Sequence, residues 1–439
     1  MAEPLSIERS ANRPAAASFC NDPSRGRVLR FDLVVIGGGL SGAALVRRLA
    51  ARGSAERPLS ICVLDARGLF GRGVAYSLDA PAGALLIEPI ATSTPREFQA
   101  WLQRLAERPA RAGGFAGWID QHHAALVAGE FANLHCPRAL FGLFSEQLWQ
   151  ATLEKSTVDV CCLARQAVDL TMSGSDYSIL LDDGRRIEAP LTTLAVGAIP
   201  RVDFATPSAR YIADPYERPF GHIEAQIRSA QGREVEIAII GGNASALEMI
   251  HLLATVASGD KRIGITCVST SGGLLPGGID SSTRARKITP EFPSAPEYLA
   301  SAEQAVRAGS LRTMKGSAER PRIDGDQLCI PIGDGRSINA DMVIDCRGAG
   351  RLGSTSSKLL QSICDRGVAV ARSGGKGFAT SGSSFQARPG LFTIGPILNG
   401  DGPGTYVESI LTVDESARGA AAEMAPLLET LPGYGVVTA

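Results

Sequence analysis

The alternation of apolar and polar positions along this chain makes one pattern twice. "FDLVVIGGG", Phe31 to Gly39, is a short β-branched run ending in glycines, and "LSGAALVRRLAARG" follows with apolar positions at helical spacing and a glycine stop. "LSICVLDARG" then adds a second apolar strand ending at Asp65, which completes a β-α-β unit. The second copy is "IIGGNASALE", Ile239 to Glu248, followed by the strand "IGITCVSTS". Each copy is closed by the same downstream order of strand, Asp-Gly turn, strand and final apolar strand ending in glycine. In the first copy it is "YSILLDDGRRIEAPLTTLAVGA", and in the second "LCIPIGDGRSINADMVIDCRGAG". Between the copies, Glu97 to Glu154 has a helical pattern, with Trp101, Leu102 and Leu105 on one face. The segment "GLFTIGPILNGDGPGTYVESILTV" predicts a last strand, a glycine-rich loop and a helix. The fold class expected is therefore α/β, with two Rossmann-like dinucleotide-binding domains. Each carries a small antiparallel hairpin or meander, and the second is inserted in the first.

The glycine turns give this pattern a chemistry. Gly37, Gly39 and Gly42 form G-x-G-x-x-G between a strand and a helix. There the first glycine permits the tight turn, the second lets backbone approach a pyrophosphate, and the third packs helix on strand. Asp65, 23 residues after Gly42, can accept from ribose hydroxyls. The second turn reads G-x-N-x-x-A over Gly241, Gly242, Asn243, Ala244, Ser245 and Ala246. Asn tolerates a left-handed backbone, so the turn survives, and its side chain can bond either a phosphate or its own loop. The following strand ends in Ser269-Thr270-Ser271, with no acid for a 2′-hydroxyl, which leans towards NADPH; no Arg stands there to grip a 2′-phosphate.

Composition narrows the classes. The chain has 439 residues, a formal net charge of −1 and 5% aromatics, so nucleic acid or an anionic membrane is not the expected partner. No apolar run reaches the ~18 residues a bilayer span needs. The polar residues 1–29 read as a disordered leader without a signal-peptide h-region, and cytoplasmic localisation is expected. Nine cysteines without a C-x-x-C read as buried, reduced thiols, which argues against a disulfide reductase, and the five histidines have no metal-ligand spacing. No metal is expected. The expected divisions are 30–205 and 351–430 for a first, FAD-binding domain, and 206–350 for a second, NAD(P)H-binding domain.

Two such units, with the second between segments of the first, resemble the two-dinucleotide-binding flavoproteins over about Phe31 to Ala425. "FGRGVAYS" (Phe70 to Ser77), "PRALFG" (Pro137 to Gly142), "YIADPYE" (Tyr211 to Glu217), "GLLP" (Gly273 to Pro276) and "LFTIGP" (Leu391 to Pro396) resemble a bacterial FAD/NAD(P)-binding subgroup. The second turn is similar to the NADPH turn of flavin N-hydroxylating monooxygenases. The resemblance implies FAD at Gly37, Gly38, Gly39, Leu40, Ser41, Gly42, Asp65 and Ala66. Contacts from Ala167, Val168, Gly197, Gly395, Pro396 and Gly402 are also implied, with NADPH, or NADH, at Gly241 to Ala246. Arg72 and Arg138 are candidates to bind flavin phosphates or a substrate carboxylate bidentately, with surface ion pairing as the alternative. It implies a monooxygenase that N-hydroxylates an amine or amino acid, with a small metabolite and O₂ as partners and an oligomer possible. A dehydrogenase or oxidase with a degenerate second site, or a non-catalytic flavin-binding partner protein, remain open. No catalytic side chain is singled out, because in flavin enzymes the cofactor carries the redox chemistry.

Overall fold

A computed structural model describes residues 28–51, 58–204, 206, 208–216, 220–229, 234–256, 262–274, 294–398 and 409–431. Of the expected leader, only Val28 and Leu29 are among these, and they belong to the first strand. Gly402 and Pro276 lie outside the described residues.

In chain order the first part runs β1 (Val28–Arg30), β2 (Leu33–Ile36), α1 (Leu40–Ala50) and β3 (Ser60–Leu64). The helices α2 (Ile90–Ser93), α3 (Arg96–Ala106), α4 (Ala116–Gln121), α5 (His123–Ala128) and α6 (Arg138–Lys155) follow. Then come β4 (Asp159–Leu163), β5 (Ala167–Ser173), β6 (Asp176–Leu181), β7 (Arg186–Ala189) and β8 (Leu191–Leu194). The middle part holds β9 (Tyr211–Ile212), α7 (Gly221–Ser229), β10 (Val235–Ile240), α8 (Ala244–Val256), β11 (Ile263–Ser269), α9 (Pro296–Arg307) and β12 (Leu311–Lys315). It ends with β13 (Arg322–Asp324), β14 (Gln327–Pro331), β15 (Ser337–Ala340) and β16 (Met342–Asp345). The last part has α10 (Lys358–Asp365), β17 (Gln386–Arg388), β18 (Leu391–Thr393) and α11 (Ile410–Thr430).

Two sheets organise these elements. One has the order β17-β18-β8-β2-β3-β4, the other β12-β11-β10-β16-β9. The glycine turns leave from β2 and β10, the strands in the interior of each sheet. Both strands are buried along almost their whole length, and that is why they read as continuous apolar runs rather than alternating ones. Because β17 and β18 complete the first sheet after the second sheet has been built, the second unit is inserted in the first, as the sequence pattern predicts. The antiparallel hairpins β5-β6-β7 and β13-β14-β15 are the two Asp-Gly blocks. Their turn glycines, Gly184 and Gly335, adopt φ +86° and +88°, which an L side chain resists.

Helices cover the sheets. α1 and α11 pack on one face of the first sheet, where Val46, Leu49, Ala420 and Met424 meet the strand residues Val35 and Val63. α10 and the β5–β7 hairpins close the other face. α8 and α9 bury Leu247, Ile250, Leu253 and Tyr298 against the second sheet. Ala84 and Leu85, from the first unit, belong to that same apolar cluster, so the segment before α2 is a packed joint between units. "PRALFG" opens α6 and "FGRGVAYS" lies against it. A Cβ on Gly142 would come within 1.9 Å of the Tyr76 carbonyl oxygen, so only glycine admits that approach. No helix among the described residues is long and apolar enough to cross a membrane.

One expectation is corrected. Cys161 is disulfide-bonded, so the cysteines are not all reduced, while seven of the described cysteines are free.

Candidate functional site: two glycine turns and the cleft between them

At the first turn Gly37 has φ +110°, and an added Cβ would stand 2.2 Å from the Ala195 carbonyl oxygen. The Gly42 position is as tight, 2.0 Å from the Gly37 carbonyl oxygen. These contacts press strand, turn and helix together. Gly39 precedes α1 and supplies no side-chain cap, so the first-turn N–H groups of Leu40, Ser41 and Gly42 have no partner inside the helix. The positive end of the helix dipole is left for an anion.

Asp65 is tied into this turn. One carboxylate oxygen accepts from the Gly38 N–H at 3.1 Å, and the other accepts from Arg67 and Leu69 N–H at 3.0 Å each. It thus fixes its own loop and still offers lone pairs to a ribose beside the exposed Ala66. The "FGRGVAYS" loop crosses the turn: the Gly71 N–H donates to the Gly38 carbonyl at 2.8 Å, and a Gly73 Cβ would lie 3.1 Å from the Gly39 Cα. From the other side, a Cβ on Gly395 would meet the Ser41 hydroxyl at 2.3 Å, and Pro396 continues a 3₁₀ turn there. The structure therefore gathers Gly37 to Gly42, Asp65, Gly395 and Pro396 in one place. Gly197, with φ +76° and nothing within 4 Å of an added Cβ, faces open space after β8. Ala167 and Val168 open β5, Ala167 buried and Val168 half-buried. The cradle fits a dinucleotide pyrophosphate.

The second turn repeats the backbone with different side chains. Gly241 has φ +106°, and its added Cβ would meet the Cys346 carbonyl oxygen at 2.5 Å. Asn243 immediately precedes α8, and its side-chain oxygen accepts from the Ser245 N–H at 3.1 Å. Asn243 is therefore a helix cap, bonded to its own loop. Ala246, fully buried, carries a Cβ where Gly42 has none. The Ser269 hydroxyl holds its own loop, donating to the Gly273 carbonyl at 2.9 Å and accepting from the Gly272 N–H at 3.1 Å.

Arg72 and Arg138, both singled out from the sequence, go to different places. Arg72 pairs with Glu146 of α6 at 2.9 Å. Arg138 reaches across to Glu248 of α8, which is 2% exposed, and its guanidinium lies 4.8 Å from the centre of the Tyr216 ring. Tyr216 donates its hydroxyl to the same Glu248 at 3.1 Å. Burial pushes the Glu248 carboxyl up, against the opposing pull of Arg138 and Tyr216. Burial works to lower Arg138, but the Glu248 carboxylate and the neighbouring Tyr216, Tyr298 and Tyr76 together outweigh it, and the guanidinium stays charged. These three residues border a cleft of about 220 Å³ whose walls are Leu69, Val74 and Ala75 on one side and Phe220, Met249 and Leu252 on the other. Val74 and Ala75 continue the loop that touches the first turn, and Met249 and Leu252 lie on the helix that springs from the second. Sequence reasoning missed Glu248 and Tyr216 as partners of Arg138; "YIADPYE" carried the tyrosine, but nothing local says whom it meets.

Among the described residues the thiols offer no exposed dithiol. Burial pushes Cys162 and Cys267 up to about 12, so both stay protonated at neutral pH.

Residues 34–199 match the model of an FAD-NAD(P)-binding family. Uncharacterised proteins of Mycobacterium bovis and Mycobacterium tuberculosis are 25% identical over 277 residues, 56% of this chain and 52% of theirs. The chain thus spans about half the length of the curated relatives it matches. A bacillithiol disulfide reductase of Bacillus cereus superposes with a TM-score of 0.57 at 14% identity, covering 91% of this chain and 99% of that one. A thioredoxin reductase of Lactococcus lactis gives 0.55 at 13%, covering 91% and 100%. A flavin monooxygenase of Stenotrophomonas maltophilia gives 0.52 at 19%, covering 91% and 99%. The chain has the fold of the two-dinucleotide-binding-domain flavoproteins.

Proposed function

We propose that the chain is an FAD-dependent, NAD(P)H-using oxidoreductase, and more specifically a monooxygenase that N-hydroxylates an amine or amino acid of a small metabolite. The observation that carries the dinucleotide reading is the internal repeat: two glycine turns on equivalent strands, with one cleft between the elements that leave them. Bound FAD would accept hydride from a reduced nicotinamide and pass electrons on to O₂. The chain's own residues bind and orient. The open N–H groups of Leu40, Ser41 and Gly42 would hold the FAD pyrophosphate, Asp65 would accept from a ribose hydroxyl, and Gly241 with the start of α8 would hold the pyrophosphate of NAD(P)H. Leu69, Phe220 and Met249 would keep water from the cleft, and the Arg138–Glu248 pair would fix the spacing of the two units.

Among the solved structures of similar fold are disulfide reductases and a flavin monooxygenase. The sequence has no C-x-x-C, and burial holds Cys162 and Cys267 protonated, which favours oxygen over a disulfide as the acceptor. The test is an absorbance spectrum of the purified protein before and after anaerobic NADPH. Bands near ~370 and ~450 nm that bleach promptly support the reading, and O₂ uptake stimulated by a primary amine would support the N-hydroxylation. Flavin bands that ignore both NADPH and NADH overturn the role of the second turn. Absence of flavin after reconstitution overturns the whole proposal.

A further inference from the structure

The two halves can be laid over each other strand by strand without reference to any other protein. Ile36, the residue before Gly37, pairs with Leu64, and Leu64 with Leu163. Ile240, the residue before Gly241, pairs with Val268, and Val268 with Met314. The next residue on each strand is therefore equivalent. Ser269 takes the place of Asp65, and Lys315 takes the place of Ala164.

Two matched contacts and a matched backbone conformation hold to this equivalence. An added Cβ on Gly38 would lie 3.1 Å from the Asp65 Cβ, and one on Gly242 would lie 3.1 Å from the Ser269 Cβ. Three residues past each of these, Gly68 and Gly272 have φ +66° and +82°. An added Cβ on Gly68 would approach the Ala164 Cβ to 3.3 Å, and one on Gly272 would approach the Lys315 Cβ to 2.8 Å. At the point where the first turn puts a carboxylate with a methyl behind it, the second puts a hydroxyl with an ammonium behind it.

That exchange reverses the local charge. A carboxylate at the end of the second strand accepts from a ribose 2′-hydroxyl and repels a 2′-phosphate, whereas a cation there attracts the phosphate. Among the described residues, two other cations near the second turn are paired. Arg347 bonds Asp345 at 2.6 Å and Asp203 at 3.0 Å, and Arg336 bonds Asp334 at 2.5 Å. Lys315 is exposed and forms no ion pair among the described residues. Its neighbours Thr270 and Ser271 are exposed hydroxyl residues on the loop it faces.

We propose that Lys315 is the specificity-determining residue of the second turn: its ammonium binds the 2′-phosphate of the coenzyme, with hydroxyls of the Ser269–Ser271 loop beside it, and makes the site select NADPH over NADH. This rests on the second turn being a coenzyme site, as proposed above. The sequence alone hid it because Lys315 lies 46 positions beyond Ser269 and meets it only through strand register.

The test uses the flavin-loaded protein and two probes that differ by one phosphate, adenosine 2′,5′-bisphosphate and 5′-AMP, measured by titration calorimetry. The wild type is expected to bind the bisphosphate about ten-fold tighter or better, with the advantage shrinking as salt is raised. Lys315→Met should bring the two probes to within about two-fold by weakening the bisphosphate alone, Lys315→Arg should keep the preference, and Ser269→Asp should reverse it. Equal binding of the probes by wild type, no binding of the bisphosphate, or a Lys315→Met variant that weakens both alike overturns the assignment. Unchanged flavin content in each variant excludes unfolding as the cause. Anaerobic reduction separates the two levels of the argument: bleaching by NADH as readily as by NADPH leaves the coenzyme role standing and sinks the lysine assignment. Bleaching by neither sinks the coenzyme role itself.

Discussion

The two glycine turns share a backbone and differ in what satisfies it. At the first, Gly39 offers no side chain to α1, whose opening N–H groups are left open. At the second, Asn243 returns its side-chain oxygen to the Ser245 N–H and caps α8 from within. An uncapped helix start is the less stable of the two when empty, by about 1 kcal/mol on typical capping values, and gains most from a bound phosphate. The first turn is thus suited to a resident dinucleotide, the second to one that arrives and leaves. The opposite charges at Asp65 and Lys315 extend the same division from the pyrophosphate to the ribose.

Substitutions at the two leading glycines give the largest expected effects. Gly37→Ala and Gly241→Ala each force a left-handed φ on alanine and drive a Cβ into a carbonyl oxygen, at a cost of roughly 1–3 kcal/mol from backbone strain alone. Despite equal strain, Gly37→Ala should purify with little flavin, while Gly241→Ala should keep its flavin and lose reduction by NADPH. Flavin-to-protein absorbance ratios decide it, and equal flavin loss in both variants would break the comparison.

Glu248→Ala comes next for stability. It leaves Arg138 buried without its counter-charge, and losing one partner of a buried pair costs about 3–5 kcal/mol. A urea midpoint shifted by much less would mean that the guanidinium finds water in the cleft. Glu248→Gln should fall between, because Tyr216 and Arg138 keep a hydrogen-bond acceptor.

Asn243 sharpens the contrast on a smaller scale. Asn243→Ala should lower helix stability by about 1 kcal/mol and Asn243→Gly by only a few tenths, since glycine is a fair cap residue. The glycine variant rebuilds the first turn's pattern, so its KM for NADPH should fall rather than rise. A rise would show that the Asn243 side chain itself touches the coenzyme.

The smallest effect belongs to the meander turns. Asp183 and Asp334 each accept from the arginine two positions on, Arg185 and Arg336, and Arg165 adds a second donor to Asp183. Burial works to raise the Asp183 carboxyl, but these bonds outweigh it and lower it to about 2. Its folded-state value lies below the unfolded one, so its stabilisation is present above the usual carboxylate range near 4 and is lost as pH falls towards 2. Asp183→Asn should flatten that acid limb by at most about 0.5 kcal/mol, read from urea midpoints at pH 3 and pH 7.

Much of this was legible in the chain because glycine turns and Asp-Gly hairpins are local. Gly37, Gly184, Gly241 and Gly335 adopt the backbone that their sequence contexts predict. Asp65 was legible for the same reason, lying at the end of the next strand. Arg138 was found but its partner was not: Glu248 is 110 positions away, and the two meet only after both units have folded. Lys315 was invisible because its meaning comes from a neighbouring strand. The Cys161 disulfide escaped because cysteine spacing carries no information on pairing across the fold.

The insertion of one unit in the other sets the order in which the chain can be completed. In the first sheet, Leu391 pairs with Thr192, about two hundred positions earlier, so that sheet stays unfinished on the ribosome until nearly the whole chain has emerged. Closing so long a loop is slow and entropically costly when the loop is unstructured. The inserted unit shortens it: β9 and β16 are neighbouring parallel strands, Tyr211 beside Val343, so once the second sheet forms, the chain's exit lies beside its entry. The inserted half thereby acts as a folding clasp, delivering β18 to the waiting edge of β8 before any ligand is bound.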